Sequence, residues 1–315
     1  MISGRAVREI LVIGELNVDL VASGLKSGPT LGREILAADF RITLGSASAI
    51  FAVGAARLGR GVTFVSRVGN DDFGQFCLDE LSRKRILTEH VSIDPRSKTG
   101  VTIVLSTSKD RALVTHLGSI EELQYDDVPK GIFDGHRHLH LTSYYLQTSL
   151  RPDFPRLMAD AKAKGLTTSF DPNSDPEQGR DERIFDVLKD TDILFLNEPE
   201  ALLLSGTDNV RSAIHELAGS CPTVVIKRGE KGSVGSQAGE FVWMEGFSID
   251  TVDTTGAGDS FATGFVHAFL DGGDLRKCLI VGNACGALSA TQTGGTDGQP
   301  DTEQLEKFLG KSAKA

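Results

Sequence analysis

A chain of 315 residues, 40% hydrophobic and 24% charged, is long enough to bury one large core or two small ones. Its formal net charge of −10 excludes a broad basic face for nucleic acid or an anionic membrane. An anionic ligand must then be held by local devices, against the overall field.

The chain opens with MISGRAVREILVIGE, which holds no apolar run of signal-peptide length, and no later stretch approaches a membrane span. The expectation is a cytoplasmic protein. Strand patterns appear as short, continuously apolar runs: EILVIG over 9–14, VTFVSRVG over 62–69, LTTSF over 166–170, DILFL over 192–196 and TVVIK over 223–227. Continuous apolarity, in place of alternation, marks strands buried on both faces. Helical patterns lie between them at 48–59, 73–84, 153–165 and 198–206. Strand and helix in alternation predict an α/β fold with right-handed crossovers and a mostly parallel sheet covered on both sides. Asp71, just ahead of the second helix, is expected to cap it.

Two regions behave differently. Residues 18–43 and 98–117 contain alternating stretches such as EILAADFRITL, TGVTIVLST and RALVTHL. Alternation predicts half-exposed antiparallel strands, here a small sheet that projects over a cleft as a lid. The cleft is predicted by polar tails that follow the strands: GELNVD, DPNSDP, NEPE and KRGEKGS. In open α/β sheets ligands bind beyond the carboxyl ends of strands, and these tails converge on one edge.

The four cysteines, Cys77, Cys221, Cys278 and Cys285, have no C-x-x-C spacing. Cys278 and Cys285 on one helix would lie about 10 Å apart along its axis, too far for a disulfide. Free buried thiols in a reducing compartment are expected. In GHRHLHLTSYYLQ a strand would set His136, His138 and His140 on one face, a spacing open to a metal site but also to histidines satisfied by polar neighbours. The end, KSAKA, is expected to fray.

The segment VDTTGAGDSFATGF, 252–265, carries the chemistry. Ala262, Phe265, Val266 and Phe269 fall at helical spacing, and Gly272 and Gly273 supply a stop, so a Gly-rich loop feeds a helix N-terminus. The first turn has unpaired N–H groups and a partial positive end, which attract anions. Asp259 then either caps the helix or stands as a base beside amides that cradle phosphoryl oxygens, the equipment of phosphoryl transfer. Asp253 and the two threonines upstream favour the second reading. A Walker A pattern does not occur, and a dinucleotide G-x-G-x-x-G is excluded by Phe261.

DTTGAGDSFATGF resembles the C-terminal signature of the PfkB carbohydrate kinases, the ribokinase-like family. GELNVDLV resembles that family's first strand and sugar-binding turn, and LGSASAIFAVGAARLGRGVTFVSRVGNDDFG its N-terminal signature. NEPE resembles its N-x-x-E motif and KRGEKGS its nucleotide-side loop. The resemblance spans nearly the whole chain and implies a single kinase domain over 1–315, a three-layer α/β/α fold with a mostly parallel central sheet plus a small antiparallel β lid. It implies an ATP-dependent sugar kinase with Mg²⁺ as cofactor. By that resemblance Asp259 is the catalytic base and Gly256, Ala257 and Gly258 form the anion hole. Asn17 and Asp19 bind sugar hydroxyls, with Gly45 and Ser46 in the sugar-facing turn and Tyr144 (beside Ser143) within reach. Asn197 and Glu200 organise Mg²⁺ and phosphates through water. Lys227, Gly229, Gly232 and Asn283 line the nucleotide side. Asp253 and the Thr255 carbonyl match a monovalent-cation site, for K⁺, which the TQTGGTDG loop would complete. Relatives that dimerise through lid sheets make a homodimer an expectation.

The sequence also departs from the family pattern. Ser46 stands at the second glycine of the usual pair, and Ile50 takes the place of an Asn that contacts sugar. An apolar side chain offers a hydroxyl nothing, so Ile50 puts the substrate assignment in doubt, and Ile50→Asn is expected to shift sugar preference. A nucleoside kinase, with Ile50 or Phe51 as a shelf for the base, and a sugar-binding regulator without catalysis are the alternatives.

Overall fold

The computed structural model describes residues 8–107, 111–176, 179 and 181–312. Thirteen strands form two sheets among them. The strands are β1 (Ile10–Ile13), β2 (Asn17–Leu25), β3 (Asp39–Leu44), β4 (Val62–Gly69), β5 (Leu87–Asp94), β6 (Gly100–Thr107), β7 (Arg111–His116), β8 (His138–Thr142), β9 (Thr167–Asp171), β10 (Ile193–Asn197), β11 (Thr223–Lys227), β12 (Ser233–Gln237) and β13 (Glu240–Met244). The helices are α1 (Ala47–Arg57), α2 (Asp72–Arg83), α3 (Phe154–Ala163), α4 (Ile184–Leu188), α5 (Glu198–Ser205), α6 (Val210–Leu217), α7 (Ala257–Leu270), α8 (Leu275–Ser289) and α9 (Thr302–Ser312).

The larger sheet runs β13-β12-β11-β10-β9-β8-β1-β4-β5. All its pairings are parallel except β11–β12 and β12–β13, which close one edge as an antiparallel hairpin. Each inner strand feeds two cores by turns. Ile10 and Val12 of β1, Ile193 and Phe195 of β10, and Val225 of β11 join the helices α1, α2, α7, α8 and α9 on one face. Leu11 and Ile13, Leu194 and Leu196, and Val224 and Ile226 join α3, α4, α5 and α6 on the other. Burial on both faces is why these strands read as unbroken apolar runs.

The smaller sheet has the order β3-β2-β6-β7. Its outer pairs are antiparallel, but the central pair β2–β6 runs parallel, because a long excursion through β4, α2 and β5 separates the two strands. Its register sorts the side chains. Asp19 lies opposite Thr43 and Thr102, and Thr102 opposite Thr115. One residue along, Leu20 lies opposite Ile42 and Ile103, and Ile103 opposite Val114. One face is therefore polar and the other apolar, and Ile42, Ile103 and Val114 are exposed at 46%, 42% and 57%. Residues 108–110, inside the expected lid segment, and 313–315, at the expected frayed end, lie outside the described residues.

His138 and His140 share one face of β8, whereas His136 precedes the strand and turns to the other face; all three act as polar core. His136 Nε2 meets Thr63 Oγ1 at 2.9 Å, and the two ring nitrogens of His138 meet Thr167 Oγ1 and Ser169 Oγ at 2.7 Å each. His140 Nδ1 shares Ser169 Oγ at 2.7 Å, and its ring stacks on Phe51 at 3.7 Å. Burial holds all three below the ordinary histidine range, so they are neutral at pH 7. Among the described residues no cluster of three or more His, Cys, Asp or Glu could hold a metal. All four cysteines are free and buried. No described helix is long and apolar enough to cross a membrane.

Asp71 caps α2 as expected, accepting from Gly74 N at 2.9 Å. It also accepts from Thr99 N at 2.9 Å and Thr99 Oγ1 at 2.7 Å, so one carboxylate ties α2 to the approach of β6. These bonds outweigh partial burial and hold its pKa below the usual carboxylate range. The stabilisation is thus present above the unfolded pKa and lost as pH falls through the folded one. Asp71→Ala is expected to lower stability by about 2 kcal/mol at pH 7 in urea unfolding, with an unchanged m-value, since a cap and two further bonds are removed.

Candidate active site

The turn before α7 demands glycine at one position. Gly256 has φ +69°, and a Cβ there would stand 2.8 Å from Gly295 O and 3.0 Å from Ile50 Cγ2. Both the left-handed backbone and the lack of room exclude a side chain. Ala257 N bonds Thr254 O at 3.2 Å, whereas the N–H groups of Gly258 and Asp259 find no acceptor among the described residues. The α7 N-terminus therefore presents two free donors and the positive end of a four-turn helix.

Asp259 sits in this first turn, half-buried, and Gly256, not Asp259, is the N-cap. Around it gather charges from the ends of separate strands. Lys227 closes β11, and its ammonium lies 3.3 Å from where a Gly258 Cβ would be. The ammonium donates to Asp171 Oδ2 of β9, a carboxylate only 1% exposed. Burial works against the charge on Lys227, but Asp171, Glu200 and Asp259 outweigh it and hold its pKa above the usual lysine range. Burial, with Asp171, Glu15 and Glu200 adding like charge, raises Asp259 well above the usual carboxylate range; Lys227 opposes this. The cluster carries four carboxylates against one ammonium.

Asn17 and Asp19 come together at the start of β2, where Asn17 Nδ2 donates to Asp19 Oδ1 at 3.1 Å. They lie on the backbone of Gly45, where a Cβ would be 2.1 Å from Asp19 Oδ1 and 2.6 Å from Asn17 Nδ2. Burial raises the Asp19 pKa to about 6, against the bond from Asn17 and the charge of Arg111. Ser46 keeps the conformation of the glycine it replaces, with φ +74°. Its hydroxyl donates to Glu15 O at 2.6 Å and accepts from Ala49 N at 3.0 Å, capping α1 and offsetting the strain.

Two expectations are corrected. Tyr144 is not brought to this cluster. Ser143 turns the chain with φ +54°, and the Tyr144 ring enters the opposite core, edge-on to Phe154 and Phe170. Ser143 is the residue that reaches the site, donating to Glu15 Oε1 at 2.8 Å and Asn173 Oδ1 at 3.0 Å. Ile50, 4% exposed, packs behind the amide turn, where its methyls meet the positions Cβ atoms would take on Gly256 and Gly295, at 3.0 and 2.6 Å. Phe51 is wholly buried on His140. Neither offers a shelf for a nucleobase.

On the other flank Asn197 and Glu200 form a reciprocal cap on α5. Asn197 Oδ1 accepts from Glu200 N at 2.9 Å, and Glu200 Oε2 from Asn197 N at 2.8 Å. Glu200 Oε1 accepts from Ser174 Oγ at 2.9 Å. Its pKa is nonetheless raised by burial and by Asp171. Gly229 and Gly232 shape the turn after β11, and a Cβ on Gly232 would strike Met244 O at 2.2 Å. Asn283, buried on α8, donates to Glu245 O at 3.2 Å. Asp253 is saturated within the chain: Oδ1 accepts from Thr255 N at 2.9 Å and Thr255 Oγ1 at 2.7 Å, and Oδ2 from Gly294 N at 2.9 Å. Arg111 of β7 donates to Thr255 Oγ1 and lies 3.6 Å from Asp253, joining the small sheet to the approach of α7. Glu15, the Asp171–Lys227 pair and Arg111 escaped the sequence reading as partners, because their contacts span 128, 56 and 144 residues.

A family model described as pfkB family carbohydrate kinase matches residues 7–302. The chain is 31% identical to the 2-dehydro-3-deoxygluconokinase of Bacillus subtilis over 84% of its length and 86% of that protein's. It is 30% identical to a Klebsiella pneumoniae fructokinase over 96% and 99% of the two chains. Among solved structures it is similar to the Vibrio cholerae fructokinase in its fructose-, ADP- and calcium-bound form, with TM-score 0.80, 27% identity and coverage of 96% and 99%. A chain with a free amide turn, an adjoining acid and this likeness over nearly its whole length belongs to the pfkB family of carbohydrate kinases.

Proposed function

We propose that this sugar kinase transfers the γ-phosphoryl group of ATP to a sugar hydroxyl, with Asp259 as the base. The observation that carries the reading is the Asp259 carboxyl beside the unpaired amides of Gly258 and Asp259, with Lys227 facing the same turn. The unpaired amides of Gly258 and Asp259, presented by the Gly256–Gly258 turn, hold the oxygens of the moving group, while the Ala257 amide is already engaged by Thr254 O. Asp259 takes the hydroxyl proton, and Lys227 faces the developing charge. Asn17 and Asp19 orient the sugar through hydroxyl hydrogen bonds. Lys227, Gly229, Gly232 and Asn283 border the nucleotide.

The donor set suits Mg²⁺ held through water, since Glu200, Asp171 and Asp259 leave negative charge that one lysine does not neutralise. When bound, the ion would offset the charge of the phosphate oxygens. A K⁺ site at Asp253 and Thr255 has weaker support, because both carboxylate oxygens of Asp253 already accept hydrogen bonds and Arg111 stands nearby. The small sheet is a lid over the sugar, with Asp19 on its polar face. Its apolar face, at Leu20, Ile42, Ile103 and Val114, is the dimer surface. Buried free thiols suit a cytoplasmic home.

A panel of ribose, fructose and 2-dehydro-3-deoxygluconate with ATP and Mg²⁺ identifies the preferred sugar. With it, Asp259→Asn is expected to bind both substrates normally while kcat falls by about 10²–10⁴; near-normal turnover refutes the assignment. Sugar affinity, measured by calorimetry without nucleotide, is expected to weaken about tenfold from pH 7 to pH 5, as Asp19 takes a proton through its pKa of about 6. Asp19→Asn should flatten that dependence. Light scattering is expected to give a dimer for the wild type and a monomer for Ile103→Glu.

A further inference from the structure

A cavity of about 230 Å³ opens between the C-terminal ends of α1 and α8, the 291–300 loop and α9. The charge cluster and the amide turn do not line it, although Thr291, Gln292, Asp297 and Gly298 belong to the TQTGGTDG loop expected at a monovalent-cation site. Its floor is buried and made by Gly298, Gln299 and Pro300. Arg57, Lys307 and Lys311 bring three cations to it, against the single acid Asp297. In a chain of net charge −10 this is a local reversal of sign. Arg57 is also incompletely partnered: its Nε is buried without an acceptor among the described residues, and its Nη2 reaches Gln304 Oε1 only at 3.5 Å.

The rest of the lining narrows the ligand. Gln292 and Gln304 offer amides, which both donate to and accept from hydroxyls. Phe308, edge-on to Phe247 at 5.0 Å, supplies an apolar wall. A guanidinium with two ammoniums suits a phosphate. The volume of about 230 Å³ admits a small metabolite.

We propose that this cavity is a second, regulatory site for a small sugar phosphate. The floor is wired to the catalytic turn. Gln299 Nε2 donates to Ile50 O at 2.8 Å and to Ser260 Oγ at 3.0 Å. Ile50 packs against Gly256 and Gly295, and Ser260 follows Asp259 in α7. A ligand that stiffens or shifts this floor therefore alters the amide turn through two hydrogen bonds and one apolar contact. The regulatory half of the proposal and the choice of a sugar phosphate as probe rest on the kinase reading; binding at the cavity does not.

Calorimetry with ribose 5-phosphate on the full chain, saturated with ADP and the preferred sugar to fill the active site, tests binding. The wild type is expected to bind, and Lys307→Glu/Lys311→Glu to bind at least tenfold more weakly, with inorganic phosphate and citrate weaker than ribose 5-phosphate in the wild type. With sugar and ATP saturating, ribose 5-phosphate is expected to change kcat at least twofold in the wild type. The double variant should keep its basal kcat and lose this response, and Gln299→Ala should bind but not respond. Equal isotherms for wild type and double variant, citrate binding as tight as ribose 5-phosphate, or binding without any change in kcat would each overturn the proposal. Loss of basal activity on every sugar would instead strike the kinase reading and leave the isotherms to decide this one.

Discussion

One ammonium set among four carboxylates governs the site. Lys227 is delivered by β11, Asp171 by β9, Glu200 by α5 after β10, Asp259 by α7 and Glu15 by the link between β1 and β2, so no short segment contains the cluster. Removing such a charge from water costs several kcal/mol unless partners compensate, and Lys227 compensates only part of what surrounds it. The remainder appears as the raised pKa values of Glu200 and Asp259. The fold tolerates that strain where it meets the free amides of α7, which favour negative charge, and where a divalent cation would complete the balance.

The same turn explains why Gly256 cannot vary. Gly256 is hemmed by Gly295 and Ile50, Gly258 is approached by Lys227, and Gly45, beside the start of β2, by Asp19 and Asn17. A side chain at Gly256 would meet backbone, and one at Gly258 or Gly45 would press on the charged and amide side chains beside it. The loop bearing Gly294 and Gly295 braces the turn through Asp253, and Arg111 joins the small sheet to the same loop. The small sheet, the turn before α7 and the loop are thus mechanically connected.

Much of this was legible in the sequence, and for physical reasons. The inner strands announce themselves because both faces are buried, and the α7 motif because glycine, acid and helix periodicity coincide. The edge strands β5 and β13 carry no such signal, since exposure breaks the apolar run, and β12, though buried and flanked on both sides, is built from the small and polar run SVGSQ. Tyr144 was misplaced because one left-handed residue, Ser143, reverses which side chain faces the site. Ile50 occupies a position marked as sugar-facing by resemblance, yet its methyls fill the space behind Gly256. Glu15 reads as a strand tail, and only the fold sets it against Ser48 and Ser143.

The central claim, that the Lys227 ammonium lowers an Asp259 proton affinity raised by burial and neighbouring carboxylates, is tested most directly by titrating carboxyl carbons by NMR in selectively ¹³C-aspartate-labelled wild type and Lys227→Met. The account expects the Asp259 resonance to titrate at distinctly higher pH once the ammonium is gone and the protein remains folded. An unchanged or lowered midpoint would contradict it.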